Sequence, residues 1–253
     1  MAQVARARGL QTRPSRFEAM GAALGPCQSL GSDGGGPLGC GLVWMHGLGD
    51  TEHGWKASVR EQLVLSTVAG PCKYAFPRAP IQAVTCNGGC WMTSWFDMER
   101  LPIGAGDDPP RHGCSLEQAE ASAVRVRKII DKLRQEDGIP AEKIVVGGFS
   151  QGGAMALHVA LTYPHRLAAC VVFSGLLLGA DQLAAIMRAE SVGLEVFWGH
   201  GTHDDVLEPS LQEEGVSALQ EVGMKVTAQR YAMSHSSHPQ EMRDLSSFLS
   251  SRL

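Results

Sequence analysis

Short continuous apolar runs recur along the chain after residue 37, and each is bounded by turn-forming residues. Runs of this length, rich in Val, Ile, Leu and aromatic residues, are typical of buried β-strands. The last of them alternates with polar residues and predicts an edge strand. The strands predicted in this way are residues 38–45, 143–148, 167–174, 194–199 and 224–231.

Between these runs, apolar residues recur at steps of three and four, the spacing of an amphipathic helix. The longest such pattern follows Ser115, which can form a capping box with Gln118, and it ends at Gly138. Because strands alternate with helices, we expect a mostly parallel sheet covered by helices on both faces. The other predicted helices are residues 54–66, one from about Gln151, 181–189, 209–222 and 239–253.

Two stretches lack such patterns. Residues 77–113 show no predicted helix or strand, and a loop of that length inside a compact domain is usually functional.

Residues 1–36 carry four Arg in the first 20 positions and then the run Gly34–Gly36, so they have little apolar surface to bury. We interpret 1–36 as a disordered N-terminal segment and 37–253 as the folded domain. Arg-rich, acid-poor character is also typical of organellar targeting segments, which leaves mitochondrial or plastid import as the alternative.

The overall composition argues against a nucleic-acid-binding protein, a membrane-spanning protein and a disulfide-rich secreted protein. Apolar residues make up 44% of the 253 positions, and the formal net charge is −4, so no general positive field favours nucleic acid. No run approaches the roughly 18 consecutive apolar residues of a membrane span. Seven scattered Cys, an odd number, argue against a disulfide framework and for a reducing compartment. We therefore expect a cytoplasmic enzyme or binding protein without a transmembrane segment.

The predicted strand 143–148 leads into Gly148-Phe149-Ser150-Gln151-Gly152, a G-x-S-x-G pattern placed between a strand and a helix. In this setting the serine lies on a strained turn, and small residues on both sides allow neighbouring backbone to approach closely. Ser150 would present its hydroxyl where free N–H groups favour developing negative charge. Ser150 is the predicted nucleophile.

A serine nucleophile needs a histidine base and a carboxylate that orients it, in the chain order Ser, Asp, His for this arrangement. Asp204 follows the strand 194–199, with Asp205 as its nearest competitor. His235 lies between the last strand and the last helix, whereas His238 is better interpreted as the residue that leads into that helix. The oxyanion donors expected are the backbone N–H groups of Gln151 and of Leu48, the latter in the turn 46–50.

These residues together resemble the acyl-protein thioesterase family, also described as lysophospholipases or small carboxylesterases, within the α/β-hydrolases. The resemblance spans roughly residues 42–252. Its most specific parts are WMHGLGDTEHGW (44–55), FPRAP (76–80), VTCNGGCWMTSWFD (84–97), GGFSQGGAMAL (147–157), HGTHDD (200–205) and HSSHPQEM (235–242).

The resemblance implies an α/β-hydrolase fold with Ser150 as nucleophile, Asp204 as orienting acid, His235 as base, and Leu48 and Gln151 as oxyanion donors. It also implies that residues 80–97, with Trp91, Met92, Trp95 and Phe96, cover an acyl channel. The chain departs from the family pattern where Thr93 and Glu208 replace prolines, and where Ala232 replaces a glycine close to His235. These departures bear on substrate fit and on the setting of His235.

The expected activity is acyl-enzyme hydrolysis of a thioester or ester, foremost the removal of palmitoyl groups from proteins, without a cofactor or metal. The expected partner is an S-acylated protein or a lipid-like ester that the enzyme meets in transient contact with a membrane surface. Lysophospholipase or small-ester carboxylesterase activity is the alternative, because all three pass through the same oxyanion. Two remoter alternatives are a non-catalytic hydrolase fold that senses a ligand and a metallohydrolase, whose ligands would come from His200, His203, Asp204, His235 and His238.

Overall fold

A mixed sheet of seven strands runs through the part of the chain that the computed structural model describes, residues 28–30, 38–63, 65, 69–104 and 113–253. Across the sheet the strands lie in the order β1-β3-β2-β6-β7-β8-β9, and all neighbours are parallel except the pair β1 and β3. The predicted mostly parallel sheet is confirmed. The strands are β1 (Gln28–Leu30), β2 (Cys40–Met45), β3 (Cys72–Phe76), β4 (Ile81–Val84), β5 (Cys90–Thr93), β6 (Ile144–Phe149), β7 (Ala169–Phe173), β8 (Glu195–Gly201) and β9 (Lys225–Tyr231).

Helices cover both faces of this sheet, as the alternating pattern predicts. Since successive side chains of a strand point to opposite faces, Val43 of β2 packs into one core and Trp44 into the other. The first core receives α2, α3 and α5, and the second receives α1 and α6. The helices are α1 (Lys56–Gln62), α2 (Leu116–Gln135), α3 (Gln151–Thr162), α4 (Leu183–Ile186), α5 (Ser210–Glu221) and α6 (Pro239–Ser250). None of the helices in the described ranges is long and apolar enough to cross a bilayer.

The cap of α2 differs from the predicted capping box. The Ser115 hydroxyl accepts a hydrogen bond from the Gln118 backbone N–H, as expected. The Gln118 side chain does not return to Ser115, because its Oε1 accepts the N–H of Asp97 at 2.7 Å. The start of α2 is therefore attached to the segment that follows β5.

The stretch 77–113 contains a hairpin that the sequence interpretation missed. Strands β4 and β5 pair antiparallel, with Ala83 opposite Trp91. Asn87 ends the 3₁₀ turn between them, and Gly88 and Gly89 follow with positive φ angles of 65° and 76°. Consecutive positive φ angles are readily adopted by glycine, which explains how so tight a reversal fits there. Residues 105–112 of this stretch lie outside the described residues.

The N-terminal boundary also needs a correction. We predicted that all of residues 1–36 lie outside the domain, but Gln28–Leu30 pairs antiparallel with β3 and forms an edge of the sheet. A three-residue strand within Gly-rich sequence gives no periodic signal, so it could not be recognised. The rest of that prediction concerns residues 1–27 and 31–36, which lie outside the described residues. Where one helix was predicted over 181–189, the structure has the single turn α4 between two 3₁₀ turns.

Candidate active site

Ser150 lies on a sharp turn between β6 and α3. Its φ of 56° and ψ of −122° are strained for a residue with a side chain, and its N–H is held by the Phe173 carbonyl at 2.8 Å. A Cβ on Gly148 would lie 2.4 Å from the backbone of Gly152, and one on Gly152 would lie 2.2 Å from the Met45 oxygen. Both glycines are therefore required by close backbone contacts, as the G-x-S-x-G pattern predicts.

The structure brings Ser150, His235 and Asp204 into one hydrogen-bonded chain. Nε2 of His235 lies 2.9 Å from the Ser150 Oγ, and Nδ1 lies 2.8 Å from Oδ2 of Asp204. The imidazole packs against the Phe149 ring, with centroids 4.8 Å apart. With Nδ1–H donating to the carboxylate, Nε2 is left free to accept the serine proton.

The Asp204 carboxylate is fully buried and saturated with donors. Its Oδ1 accepts the N–H groups of Val206 and Leu207 at 3.0 and 2.9 Å. Burial by itself raises the pKa of Asp204, but hydrogen bonds from His200 and His235 together with the charge of His235 outweigh it and hold the pKa well below its usual range. Asp205, the competitor left open by the sequence, is exposed and does not occupy this position.

His200 is a part of this site that the sequence interpretation considered only as a metal ligand. Its ring is completely buried at the end of β8, and Nε2 donates to the Leu207 carbonyl at 2.8 Å while lying 3.4 Å from the Asp204 carboxylate. It therefore fixes the turn 204–207 that carries the carboxylate. Its position at the carboxyl end of a predicted strand was the available signal.

The histidines that suggested a metallohydrolase have separate roles. His203 is exposed and its Nδ1 contacts the Thr202 hydroxyl, and His238 caps α6 by accepting the Gln240 N–H. Leading into the last helix was the predicted role of His238. Within the described ranges no three His, Cys, Asp or Glu side chains converge as metal ligands.

The turn 46–50 lies beside Ser150, and its first residue, His46, attaches it to the segment after β3. His46 is buried, and its Nε2 accepts the Ala79 N–H at 3.1 Å while Nδ1 donates to the Gly47 carbonyl. Burial lowers the pKa of His46, in keeping with this neutral tautomer. Among the described residues, no acceptor is paired with the backbone N–H of Leu48 or of Gln151. Free N–H groups are what an oxyanion site requires.

The Gln151 side chain has a role that sequence reasoning missed, since only its backbone was singled out. It is buried, and its Oε1 accepts the Trp95 N–H at 2.9 Å while its Nε2 donates to the Phe96 carbonyl at 2.7 Å. The side-chain amide accepts from one backbone N–H and donates to one backbone carbonyl, as the backbone of a neighbouring strand would. The amide thus fastens the segment after β5 to the start of α3.

The four residues predicted to line an acyl channel separate into two pairs. Trp95 and Phe96 are buried in the main core, where the Trp95 Nε1–H donates to the His46 carbonyl. Their assignment to a channel is therefore corrected, because they contact core side chains and not open space. Trp91 is 63% exposed and Met92 is half-buried, with its sulfur 3.8 Å from where a Cβ on Gly49 would lie. Of that pair, Met92 lies beside the turn 46–50, and Trp91 is the exposed neighbour on the same strand.

Comparisons with known proteins identify relatives of this chain. The model of the Phospholipase/Carboxylesterase family matches residues 39–253. Acyl-protein thioesterase 1 of Cryptococcus neoformans is 33% identical over 82% of this chain and 90% of its own length. A protein of Oryza sativa described as a probable carboxylesterase is 34% identical over 84% of this chain and 77% of its own. The crystal structure of Arabidopsis thaliana SOBER1 superposes with a TM-score of 0.78 at 29% identity, over 84% of this chain and 98% of that one.

Proposed function

The chain belongs to the phospholipase/carboxylesterase family of α/β-hydrolases and is a serine hydrolase of ester or thioester bonds. From this premise we propose that it removes long acyl groups from protein cysteines. The observation that carries the hydrolytic part of the proposal is the unbroken hydrogen-bonded chain from the Ser150 hydroxyl through His235 to the Asp204 carboxylate. A thioester carbonyl is a suitable electrophile for a serine activated in this way.

In the proposed acylation step, the Ser150 Oγ attacks the thioester carbonyl while His235 Nε2 accepts its proton. Asp204 holds the other ring nitrogen and stabilises the imidazolium that forms. The negative oxygen of the tetrahedral intermediate accepts hydrogen bonds from the backbone N–H groups of Leu48 and Gln151. Collapse breaks the carbon–sulfur bond, and His235 returns the proton to the departing cysteine sulfur. The acyl group is then bound to Ser150.

In the deacylation step, water takes the place of the hydroxyl. His235 accepts a proton from the water as the water oxygen attacks the acyl-serine carbonyl. The same two N–H groups donate hydrogen bonds to the second oxyanion. Collapse returns the proton to the Ser150 Oγ and releases the fatty acid. All of these steps use groups on the described part of the chain, so the proposal requires no cofactor.

A long acyl chain is supported by the apolar hairpin beside the site. Trp91 and Ile81 are both more than half exposed, and Met92 lies against the turn that carries Leu48. Each buried methylene contributes about 0.8 kcal/mol, so a chain of many methylenes lying along such side chains gains most of its binding free energy there. The thioester preference is supported by the name of the Cryptococcus neoformans relative.

Carboxylesterase or lysophospholipase activity is the second candidate, favoured by the Oryza sativa relative that is described as a carboxylesterase. We further propose action in a reducing compartment such as the cytoplasm, because no disulfide joins any of the six cysteines in the described residues.

The deciding experiment compares kcat/KM on a palmitoyl thioester, the matching palmitoyl oxyester and a lysophospholipid, with the Ser150→Ala variant as the blank. The proposal predicts hydrolysis of S-palmitoylated peptide at the highest kcat/KM and none by the variant. A higher kcat/KM on the lysophospholipid or oxyester would transfer the assignment to the second candidate. Hydrolysis that persists in Ser150→Ala would contradict the proposed nucleophile.

A further inference from the structure

The segment Thr93–Phe96 is hydrogen-bonded to both places that carry the proposed oxyanion donors. At its far end, the Gln151 side chain binds the backbone of Trp95 and Phe96. At its near end, the Thr93 carbonyl accepts the Gly49 N–H at 2.8 Å, and the Thr93 hydroxyl donates to the Asp50 carbonyl at 2.5 Å. One short piece of chain therefore spans the distance between Leu48 and Gln151.

The near end is the part that needs such support. Leu48 lies between Gly47 and Gly49, and Gly49 has a φ of 77°, so the turn has the conformational freedom of two glycines. The Gly49 bond uses the Thr93 backbone and is available to any residue at position 93. The bond to Asp50 depends on the Thr93 hydroxyl alone. The two bonds hold the Gly49 N–H and the Asp50 carbonyl, so they anchor the turn on the carboxyl side of Leu48.

We propose that Thr93 is a positioning residue whose hydroxyl, through Asp50, holds the Leu48 N–H in register with the Gln151 N–H. This inference rests on the proposed function, since it assigns a purpose to two oxyanion donors. Among the described residues, Thr93 is hydrogen-bonded to Gly49 and Asp50 and not to the reacting serine or the histidine, so it acts through the turn 46–50.

Two features of the contact support a specific role. Thr93 is 5% exposed, so water has little access to replace the hydroxyl if it is removed, and the Asp50 carbonyl would lose its partner. The hydroxyl also joins two segments that are 43 residues apart in the sequence, so the contact ties the strand β5 to the turn 46–50.

The test compares Thr93→Val, which keeps the shape and removes the hydroxyl, with Thr93→Ser, which keeps the hydroxyl. Active sites are first counted by complete reaction with a fluorophosphonate, so that kcat refers to folded, reactive enzyme. Thr93→Val is expected to lower kcat about tenfold or more at nearly unchanged KM, because complete loss of one oxyanion donor costs about 10²–10³. Thr93→Ser is expected to retain at least half of the wild-type kcat.

A second readout separates positioning from folding. An alkyl boronic acid, which forms a tetrahedral adduct on serine, should bind Thr93→Val more weakly by a factor close to the loss of kcat/KM. The matched control is Thr162→Val, which removes a hydroxyl bond to the His158 carbonyl at the far end of α3, and it should leave kcat unchanged. If Thr93→Val does not fold, the pair Thr93→Ala and Thr93→Ser, which differ only in the hydroxyl, makes the same comparison.

The inference is overturned if Thr93→Val keeps more than half of the wild-type kcat, or if only KM rises, which would indicate a contact with substrate. It is also overturned if kcat falls while boronic acid affinity is unchanged. Failure of the proposed function has a different signature in the enzyme with Thr93 intact, because kcat/KM would then be higher on the oxyester or lysophospholipid, or Ser150→Ala would remain active.

Discussion

The Nε2 of His235 lies 2.9 Å from the Oγ of Ser150, although 85 residues separate them in the sequence. Sheet order explains the contact. Strands β6, β7, β8 and β9 are parallel neighbours, so their carboxyl ends lie along one edge. Ser150 follows β6, Asp204 follows β8 and His235 follows β9. Side chains at that edge of an open parallel sheet converge on a common crevice.

Ser150→Ala should abolish hydrolysis and labelling by a fluorophosphonate. The variant removes the proposed nucleophile but no large buried group, so the melting temperature should stay within about 2 °C of wild type. The measurement is in-gel labelling together with a thermal unfolding curve. Persistent labelling at a different residue, located by mass spectrometry, would reassign the nucleophile.

Asp204→Asn should lower kcat by orders of magnitude, by analogy with about 10⁴-fold in the serine protease case, because the amide no longer stabilises the imidazolium or selects its tautomer. Asp205→Asn is the matched control, since Asp205 is adjacent but exposed, and its kcat should remain within about twofold of wild type. Steady-state kinetics on a chromogenic ester measure both. A larger loss in Asp205→Asn would contradict the geometry.

The candidate site could be predicted from the sequence where one short segment carries the whole signal. The G-x-S-x-G pattern predicts the turn at Ser150 together with its small neighbours, and the position of His238 before Pro239 predicts the start of a helix. The Gln151 amide could not be predicted in its role, because its partners lie 55 and 56 residues away in sequence. A contact of that kind depends on tertiary packing, which local patterns do not contain.

The same dependence on tertiary packing explains why the burial of the apolar residues after β4 could not be predicted from the sequence. Trp91 and Trp95 are the same residue type four positions apart, yet one is exposed and the other is in the core. Their difference depends on where β5 ends and on which elements cover each side. Composition indicates an apolar cluster, whereas only the fold divides it between solvent and core.

Glu241 should make the stability of the protein depend on pH. It is fully buried against Gly199, its Oε1 has no hydrogen-bond partner among the described residues, and burial raises its pKa to about 8. In the unfolded chain a glutamate has a pKa of about 4.3. Between these values the folded state binds more protons, so the free energy of unfolding falls as pH rises, at up to about 1.4 kcal/mol per pH unit from this group.

Glu241→Gln should remove this dependence, because the amide does not titrate and still offers an oxygen to the His238 N–H. Urea unfolding at pH 5, 6, 7 and 8 measures it as the difference between wild type and variant, in which other titrations cancel. Glu213→Gln, at an exposed position on α5, is the control and should run parallel to wild type. Parallel curves for Glu241→Gln would mean that Glu241 is ionised in the folded protein.

Removing residues 1–36 should lower the melting temperature relative to removing residues 1–27. The longer deletion takes away β1, whose pairing with residues 74–76 covers one edge of β3. We expect a loss of a few degrees, in line with about 1 kcal/mol for a few net hydrogen bonds at a sheet edge. Equal melting temperatures for the two deletions would show that β1 contributes nothing measurable to stability.

Trp91→Ala should separate long substrates from short ones. Because Trp91 is 63% exposed on β5, its loss should leave the melting temperature unchanged. If the acyl chain lies along it, kcat/KM on a C16 thioester should fall about tenfold, equivalent to roughly 50 Å² of apolar contact at about 25 cal/mol per Å². A C2 thioester should be unaffected, since it is too short to reach the side chain. Trp95→Ala is the matched control, and its cavity in the core should lower stability by about 3–5 kcal/mol. Equal proportional losses on both substrates in Trp91→Ala would exclude this side chain from binding the acyl chain.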